Sequence, residues 1–397
     1  MSTTKRIRTF GDIASFVSGN RPQGGVGQIK NGALSLGGEH VGVDGKLALS
    51  TPKYVPMEYF TSNPKGHITN GDILLCKDGA LSGKVALERG ELSGLPSMVN
   101  EHVFIIRTDK LDQKYLFYYL FSPVGQRLLK GIVTGAAQGG INGKNLKSIP
   151  VVYPESIGEQ HRIVSELDLL TGILDKKNAQ LRDLDALAQS IFYELFGDPA
   201  VNEKGWDIIP LGRLCEITSS KRIYANEYVE GGIPFFRGKE VSEKSKGNSI
   251  SVELFISPTR YSELKEKFGV PQKGDLLITA VGTIGNIWEV DNEQPFYFKD
   301  GNVLWIRSLK DVNSTYFKYL LSFLVKQFKQ QMVNGCAYNA LTIVNLKEMP
   351  TNSIPISLQN AFADRIQLIE RQKSQIKASL AATHSLLNCR MDNLFNV

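Results

Sequence analysis

The chain has 397 residues, enough for two or three domains, and its 42% hydrophobic content is that of an ordinary globular protein. No apolar run reaches the ~18 residues a membrane helix needs, and no apolar core follows the basic start at Lys5 and Arg6, so neither a membrane span nor a signal peptide is expected. Net charge is +6, spread unevenly: residues 1–153 carry +7, 154–198 carry −5, and 199–350 and 351–397 carry +2 each. A basic excess outside the acidic stretch points to an anionic partner, of which nucleic acid is the commonest.

In chain order, the first block opens at Phe10-Gly11-Asp12-Ile13. Short β-branched and aromatic runs follow, including Ala33-Leu34-Ser35-Leu36, Ile73-Leu74-Leu75 and Val103-Phe104-Ile105-Ile106. Gly, Asn and Pro clusters separate them, a strand-and-turn texture that predicts a small, irregular, mostly antiparallel sheet. Aromatic and Leu residues at helical spacing predict one helix over Gln113–Lys130. A glycine-bearing loop from Gly135 then leads into Asn145-Leu146-Lys147.

From about Ser156 to Phe196 the apolar residues follow 4-3 spacing: Ile163, Leu167, Leu170, Leu174, Lys177, Leu181, Leu184, Ala188, Ile191, Leu195. A sustained 3.5-residue period predicts coiled-coil packing, and ~40 residues make a helix of roughly 60 Å.

After residue 198 the chain repeats itself. Leu211-Gly212-Arg213-Leu214 matches the opening, and Arg237-Gly238 matches Gly37-Gly38. Gly274-Asp275-Leu276-Leu277 matches Gly71-Asp72-Ile73-Leu74, and Val303–Arg307 matches Val103–Arg107. Tyr316–Leu321 matches Tyr115–Leu120 within a predicted helix over Ser314–Val333, and Asn345-Leu346-Lys347 matches Asn145-Leu146-Lys147. A second stripe, Phe362, Ile366, Ile369, Lys373, Ile376, Leu380, Thr383, Leu387, Arg390, Leu394, lies 199 residues after the first. Two copies indicate a duplication, not a solenoid. The predicted class is α+β: two pseudo-two-fold related mixed α/β blocks (1–153 and 199–350) separated by two long helices (154–198 and 351–397) that form an antiparallel coiled coil. Lys177, Lys373 and Arg390 interrupt the stripes, where they fix register or pack their stems and extend their charges to the rim.

Catalytic chemistry has no visible home. The five histidines are scattered, no HExxH occurs, and the four cysteines (Cys76, Cys215, Cys336, Cys389) form no CxxC pair and read as reduced cytoplasmic thiols. The Gly139–Lys144 run lacks a phosphate loop's first Gly, Gln138 standing there, and Asn145 replaces its Ser/Thr. No catalytic residue and no metal ligand is singled out.

Matched polar loops are better suited to reading a ligand. Gln138, Asn142 and Lys144 lie in the first, Tyr338 and Asn339 in the second; Asn and Gln pair bidentately with adenine edges. A second candidate surface holds Lys221, Arg222, Tyr224, Arg237 and Lys239, with Arg21 and Gln23 among the first block's counterparts, where Arg and Lys suit guanine edges or phosphates.

These features together resemble the specificity subunits of type I restriction-modification systems, over essentially the whole length. The carrying residues are Phe10-Gly11-Asp12, Gly71-Asp72-Ile73-Leu74, the segment from Asn145 to Pro154, Glu159-Gln160 opening the first helix, Phe196-Gly197-Asp198 closing it, and the stretch from Ser219-Ser220-Lys221-Arg222 through Gly231 to Glu240. The second helix departs from the pattern: Leu358-Gln359-Asn360 lacks the Glu, and Asn396-Val397 replaces the Gly-Asp. The resemblance implies a non-catalytic DNA-binding subunit whose two target-recognition domains each read half of a bipartite site across a spacer set by the coiled coil. It implies two modification (methyltransferase) subunits docked on the helices, with Gln160, Arg162, Gln359 and Arg365 as contacts, and restriction (motor-nuclease) subunits joining them. S-adenosylmethionine, ATP and magnesium then belong to those partners and no cofactor to this chain. The competing reading is a structural coiled-coil adaptor with protein-binding ends.

Overall fold

A computed structural model describes residues 5–22, 29–135, 139–291, 293–307, 309–333 and 340–396. The chain forms two compact units, one of Met1–Gln180 with Ile376–Val397, the other of Leu181–Gln375. These units do not follow a division at residues 153, 198 and 350. Each joins a globular block to parts of both long helices.

In the first unit an antiparallel sheet has the strand order Ser15–Ser18, Val103–Arg107, Ile73–Cys76, Val85–Leu87. A three-stranded sheet places Ala33–Leu36 between Tyr54–Val55 and Ser97–Val99, the last pair parallel. Strand Lys5–Thr9 pairs antiparallel with Pro150–Pro154 and brings the block's two ends together. The predicted helix over Gln113–Lys130 is two helices, Gln113–Phe121 and Pro123–Gly131. Pro123 has no N–H to continue the ladder, and Ser122 caps the new start by accepting from the Gly125 N–H at 3.1 Å.

The second unit repeats this plan. Its antiparallel sheet runs Glu216–Ser219, Val303–Arg307, Leu276–Thr279, Ile287–Glu289. A second sheet pairs Ile233–Phe236 in parallel with Tyr297–Phe298, and Ile208–Pro210 pairs antiparallel with Pro350–Asn352. Here the helix Ser314–Val333 is unbroken, as its sequence predicts. The matched Asn-Leu-Lys segments have a steric reason. Each lies in a short helix, Gly143–Ser148 or Ile343–Glu348, packed on a glycine: a Cβ at Gly11 would lie 3.1 Å from the Lys147 Cβ, and one at Gly212 3.2 Å from the Lys347 Cβ.

Both stripes form helices of 40 residues, Ile157–Phe196 and Ile356–Phe395. They pair antiparallel inside each unit. In the first, Arg390 bonds Glu166, and the Lys177 ammonium donates to Ser379 Oγ at 2.6 Å and Thr383 Oγ1 at 2.7 Å. In the second, Lys373 bonds Asp185 at 2.8 Å. The closing phenylalanines anchor the helix ends. Phe395 lies 5.5 Å from each of the Tyr115 and Tyr119 rings in the first unit's core, and Phe196 lies 4.8 Å from Tyr316 and 5.3 Å from Phe362 in the second's. Among the described residues, no helix is long and apolar enough to cross a membrane.

Candidate nucleic-acid interface

The first unit assembles its surface where strand Ser15–Ser18 gives way to a loop. A Cβ at Gly19 would lie 1.6 Å from the Val99 carbonyl oxygen, so only glycine lets the chain cross there. That crossing delivers Arg21 to Glu101, Nε to Oε1 at 2.9 Å. His102 bridges onward, Nε2 at 3.2 Å from Glu101 and Nδ1 at 3.1 Å from Asp78. Asp78 lies beside the glycine loop, whose backbone is sewn to the neighbouring turn: Ile141 N–H donates to the Lys77 carbonyl at 2.7 Å and Gly79 N–H to that of Gly139 at 3.1 Å. Asn142 then caps the helix Gly143–Ser148, accepting from Asn145 N–H at 2.8 Å, and leaves Lys144 exposed. The structure thus brings Arg21 and the Gly139–Lys144 loop to one patch, together with Lys77, Asp78, Glu101 and His102. Gln23 and Gln138 lie outside the described residues.

In the second unit Arg222 holds the equivalent place, its Nε 3.0 Å from Asp300 Oδ2. Asp300 lies in the turn before Val303–Arg307, as Glu101 lies before Val103–Arg107. Each carboxylate spends one oxygen on its arginine, and the other (Glu101 Oε2, Asp300 Oδ1) is enclosed with no partner among the described residues. Lys221 sends its ammonium over the Phe268 ring, 4.7 Å from the centroid, and Tyr224 is exposed. The Leu341 N–H donates to the Ala280 carbonyl at 3.0 Å, the counterpart of Ile141 on Lys77. Tyr338 and Asn339 lie outside the described residues.

Arg237 is held by two carboxylates, where Arg21 and Arg222 are each held by one. Its guanidinium is divided between Glu240 and Glu253, each at 2.8 Å, and these hydrogen bonds, Glu240's above all, raise its pKa. Burial pushes the Glu240 carboxyl up, but the Arg237 side-chain and backbone donors outweigh it and hold it below its usual value. Arg237 occupies the N-cap position of the helix Gly238–Ser245, its backbone N–H donating to Glu240 at 2.8 Å, with its charge already matched. Lys239 shares Glu253 at 3.1 Å and remains exposed.

The helix-start residues divide in the same way. Arg162 and Arg365 are exposed, the former paired with Glu159 at 2.7 Å. Gln160 and Gln359 are only 2% exposed and offer no amide to a partner. Sequence reasoning also passed over the acids that set the arginines. They stand about 80 residues from them along the chain, and the only mark was their common place before matched strands.

Several known proteins share this plan. The family profile described as the type I restriction modification DNA specificity domain matches residues 20–183 and again 203–381. A Haemophilus influenzae protein described as a type I restriction enzyme specificity subunit is 26% identical over 329 residues, 80% of this chain and 79% of that one. The type I restriction enzyme MjaVIII specificity subunit of Methanocaldococcus jannaschii is 25% identical over 167 residues, 41% of this chain and 38% of that one. The crystal structure of a type I restriction-modification S subunit from M. genitalium has the same fold, with a TM-score of 0.53 at 16% identity, over 100% of this chain and 97% of that one. A chain from a structure of type I complex assembly and conformational transition gives a TM-score of 0.54 at 18% identity, over 100% and 99%. With two profile matches that span most of its length, each centred on one recognition block, the chain belongs to the type I restriction-modification specificity family and is a specificity subunit of such a system.

Proposed function

We propose that each unit reads one half of a bipartite target in double-stranded DNA, the first through Arg21 and the Gly139–Lys144 loop, the second through Lys221, Arg222 and Tyr224. The observation that carries this is the pair of repeat-equivalent arginines, Arg21 on Glu101 and Arg222 on Asp300, held on one scaffold amid divergent neighbours. A carboxylate that fixes a guanidinium lowers the entropy cost of a bidentate contact to guanine, while divergent neighbours let the half-sites differ. Gln23, Gln138, Tyr338 and Asn339 belong to the same proposal through their places in the sequence.

Two modification subunits dock on the long helices in this reading. Leu169 and Leu368, and Leu187 and Leu386, stand 199 residues apart and are 66, 60, 48 and 55% exposed. Apolar side chains exposed in repeat-matched pairs suit two identical partners, with Arg162 and Arg365 beside them. Restriction subunits join that core, and S-adenosylmethionine, ATP and magnesium reside on the partners, in the cytoplasm. Mapping of methylated positions in host DNA is expected to give two half-sites across a fixed gap, and exchange of residues 1–153 for another block should change one half only. A single uninterrupted target, or methylation indifferent to the exchange, would favour the adaptor reading instead.

A further inference from the structure

Duplication gives this chain a problem of self-recognition. Two helices with related stripes can pair with each other or, across two copies of the chain, each with itself. The stripes exchange an apolar for a polar residue at four places: Leu174 against Lys373, Lys177 against Ile376, Leu184 against Thr383, and Ile191 against Arg390. The polar residue at each of these places has a contact on the other helix, where it finds an acceptor or, for Thr383, a donor, although Lys373 also bonds Glu370 and Thr383 the Ser379 carbonyl of their own helix, each at 2.8 Å. Lys177 meets Ser379 and Thr383, Lys373 meets Asp185, and Arg390 meets Glu166. We propose that these contacts are a pairing code, by which each long helix accepts the other helix of its own chain and rejects a second copy of itself.

The 199-residue offset shows what self-pairing in the same register would bring. On the second helix the counterpart of Glu166 is Arg365, so Arg390 would face Arg365 of the other copy, twice per dimer. The counterpart of Asp185 is His384, which offers Lys373 no carboxylate. On the first helix the counterparts of Ser379 and Thr383 are Gln180 and Leu184, so the Lys177 ammonium would lose its Thr383 partner to an apolar side chain. Self-pairing thus forfeits the ion pairs between the helices, leaving Lys373 only Glu370 of its own helix, and adds repulsion, while the apolar residues alone would favour either arrangement.

The test uses the whole chain cut once. A protease site after Ala200, in the exposed stretch that includes Val201, is cleaved in the folded protein, both fragments are unfolded and refolded together, and native mass spectrometry counts the pairs. The native sequence is expected to return one-to-one pairs. Arg365→Glu leaves the Glu166–Arg390 pair intact but makes self-pairing of the second helix attractive, so homodimers of the later fragment should rise roughly tenfold, the equivalent of ~1.4 kcal/mol. Lys177→Ile should raise homodimers of the earlier fragment instead. Statistical scrambling of the native fragments overturns the proposal, as does a partition that neither variant shifts.

Discussion

Gln160 and Gln359 show how much one side chain can hold. The Gln160 amide accepts from the Asp112 N–H at 2.8 Å and donates to the Pro154 carbonyl at 2.9 Å; Gln359 repeats this with the Asn313 N–H at 2.9 Å and the Ile354 carbonyl at 2.8 Å. Each ties the loop before a core helix to the segment that leads into the long helix. Replacing Gln160 with Leu strands two backbone groups in the interior, a loss of about 2–4 kcal/mol, read as an earlier urea midpoint. Their pairing was visible in the sequence as matched glutamines, but their burial was not. A glutamine that opens a helix looks alike whether it faces a partner or its own backbone, because backbone acceptors carry no residue-type signature. The acids that hold Arg21 and Arg222 were hidden for a related reason, since ion pairs across ~80 residues follow from the tertiary crossing.

At the scale of elements, the 4-3 spacing made both long helices legible, since period and length together leave few alternatives. Gly11 and Gly212 stood out as matched positions, but the short helices packed on them did not. Less visible was the break at Ser122, where the helical spacing of apolar residues runs on past a proline. The helix pair also carries an acid-sensitive contact. Hydrogen bonding from Arg390 outweighs the cost of burial and lowers the Glu166 pKa. A depressed folded pKa stabilises above the ordinary glutamate value of about 4.3 and loses that contribution as pH falls through the folded value. The melting temperature of Glu166→Gln should therefore lie below that of the native chain at neutral pH, and the gap should narrow as pH falls below the ordinary glutamate value and close beneath the lowered folded one. A gap that persists at low pH would show that Glu166 acts through packing alone.

At the scale of the molecule, the two closing phenylalanines assign each helix end to a unit. Phe395 completes the core that contains Tyr115 and Tyr119, although it lies 242 residues beyond the first block's last residue, Tyr153. Phe196 completes the core that contains Tyr316 and Phe362. Removal of a buried Phe costs about 3–5 kcal/mol, and the loss should stay local. In hydrogen exchange, Phe395→Ala should lower protection of Ile73–Cys76 and Val103–Arg107, and Phe196→Ala that of Leu276–Thr279 and Val303–Arg307. Equal loss in both sheets from either variant would mean that the units unfold as one.

The same placement of Phe395 fixes an order of assembly during synthesis. Residues 181–375 form a continuous stretch, so the second unit has all its parts once residue 375 has emerged from the ribosome. The first unit is begun earliest but lacks Leu387, Met391 and Phe395 until the ribosome has passed them. The block made first is thus completed last, and its open core must wait through the translation of some two hundred residues, a time of about 10–40 s at 5–20 residues per second.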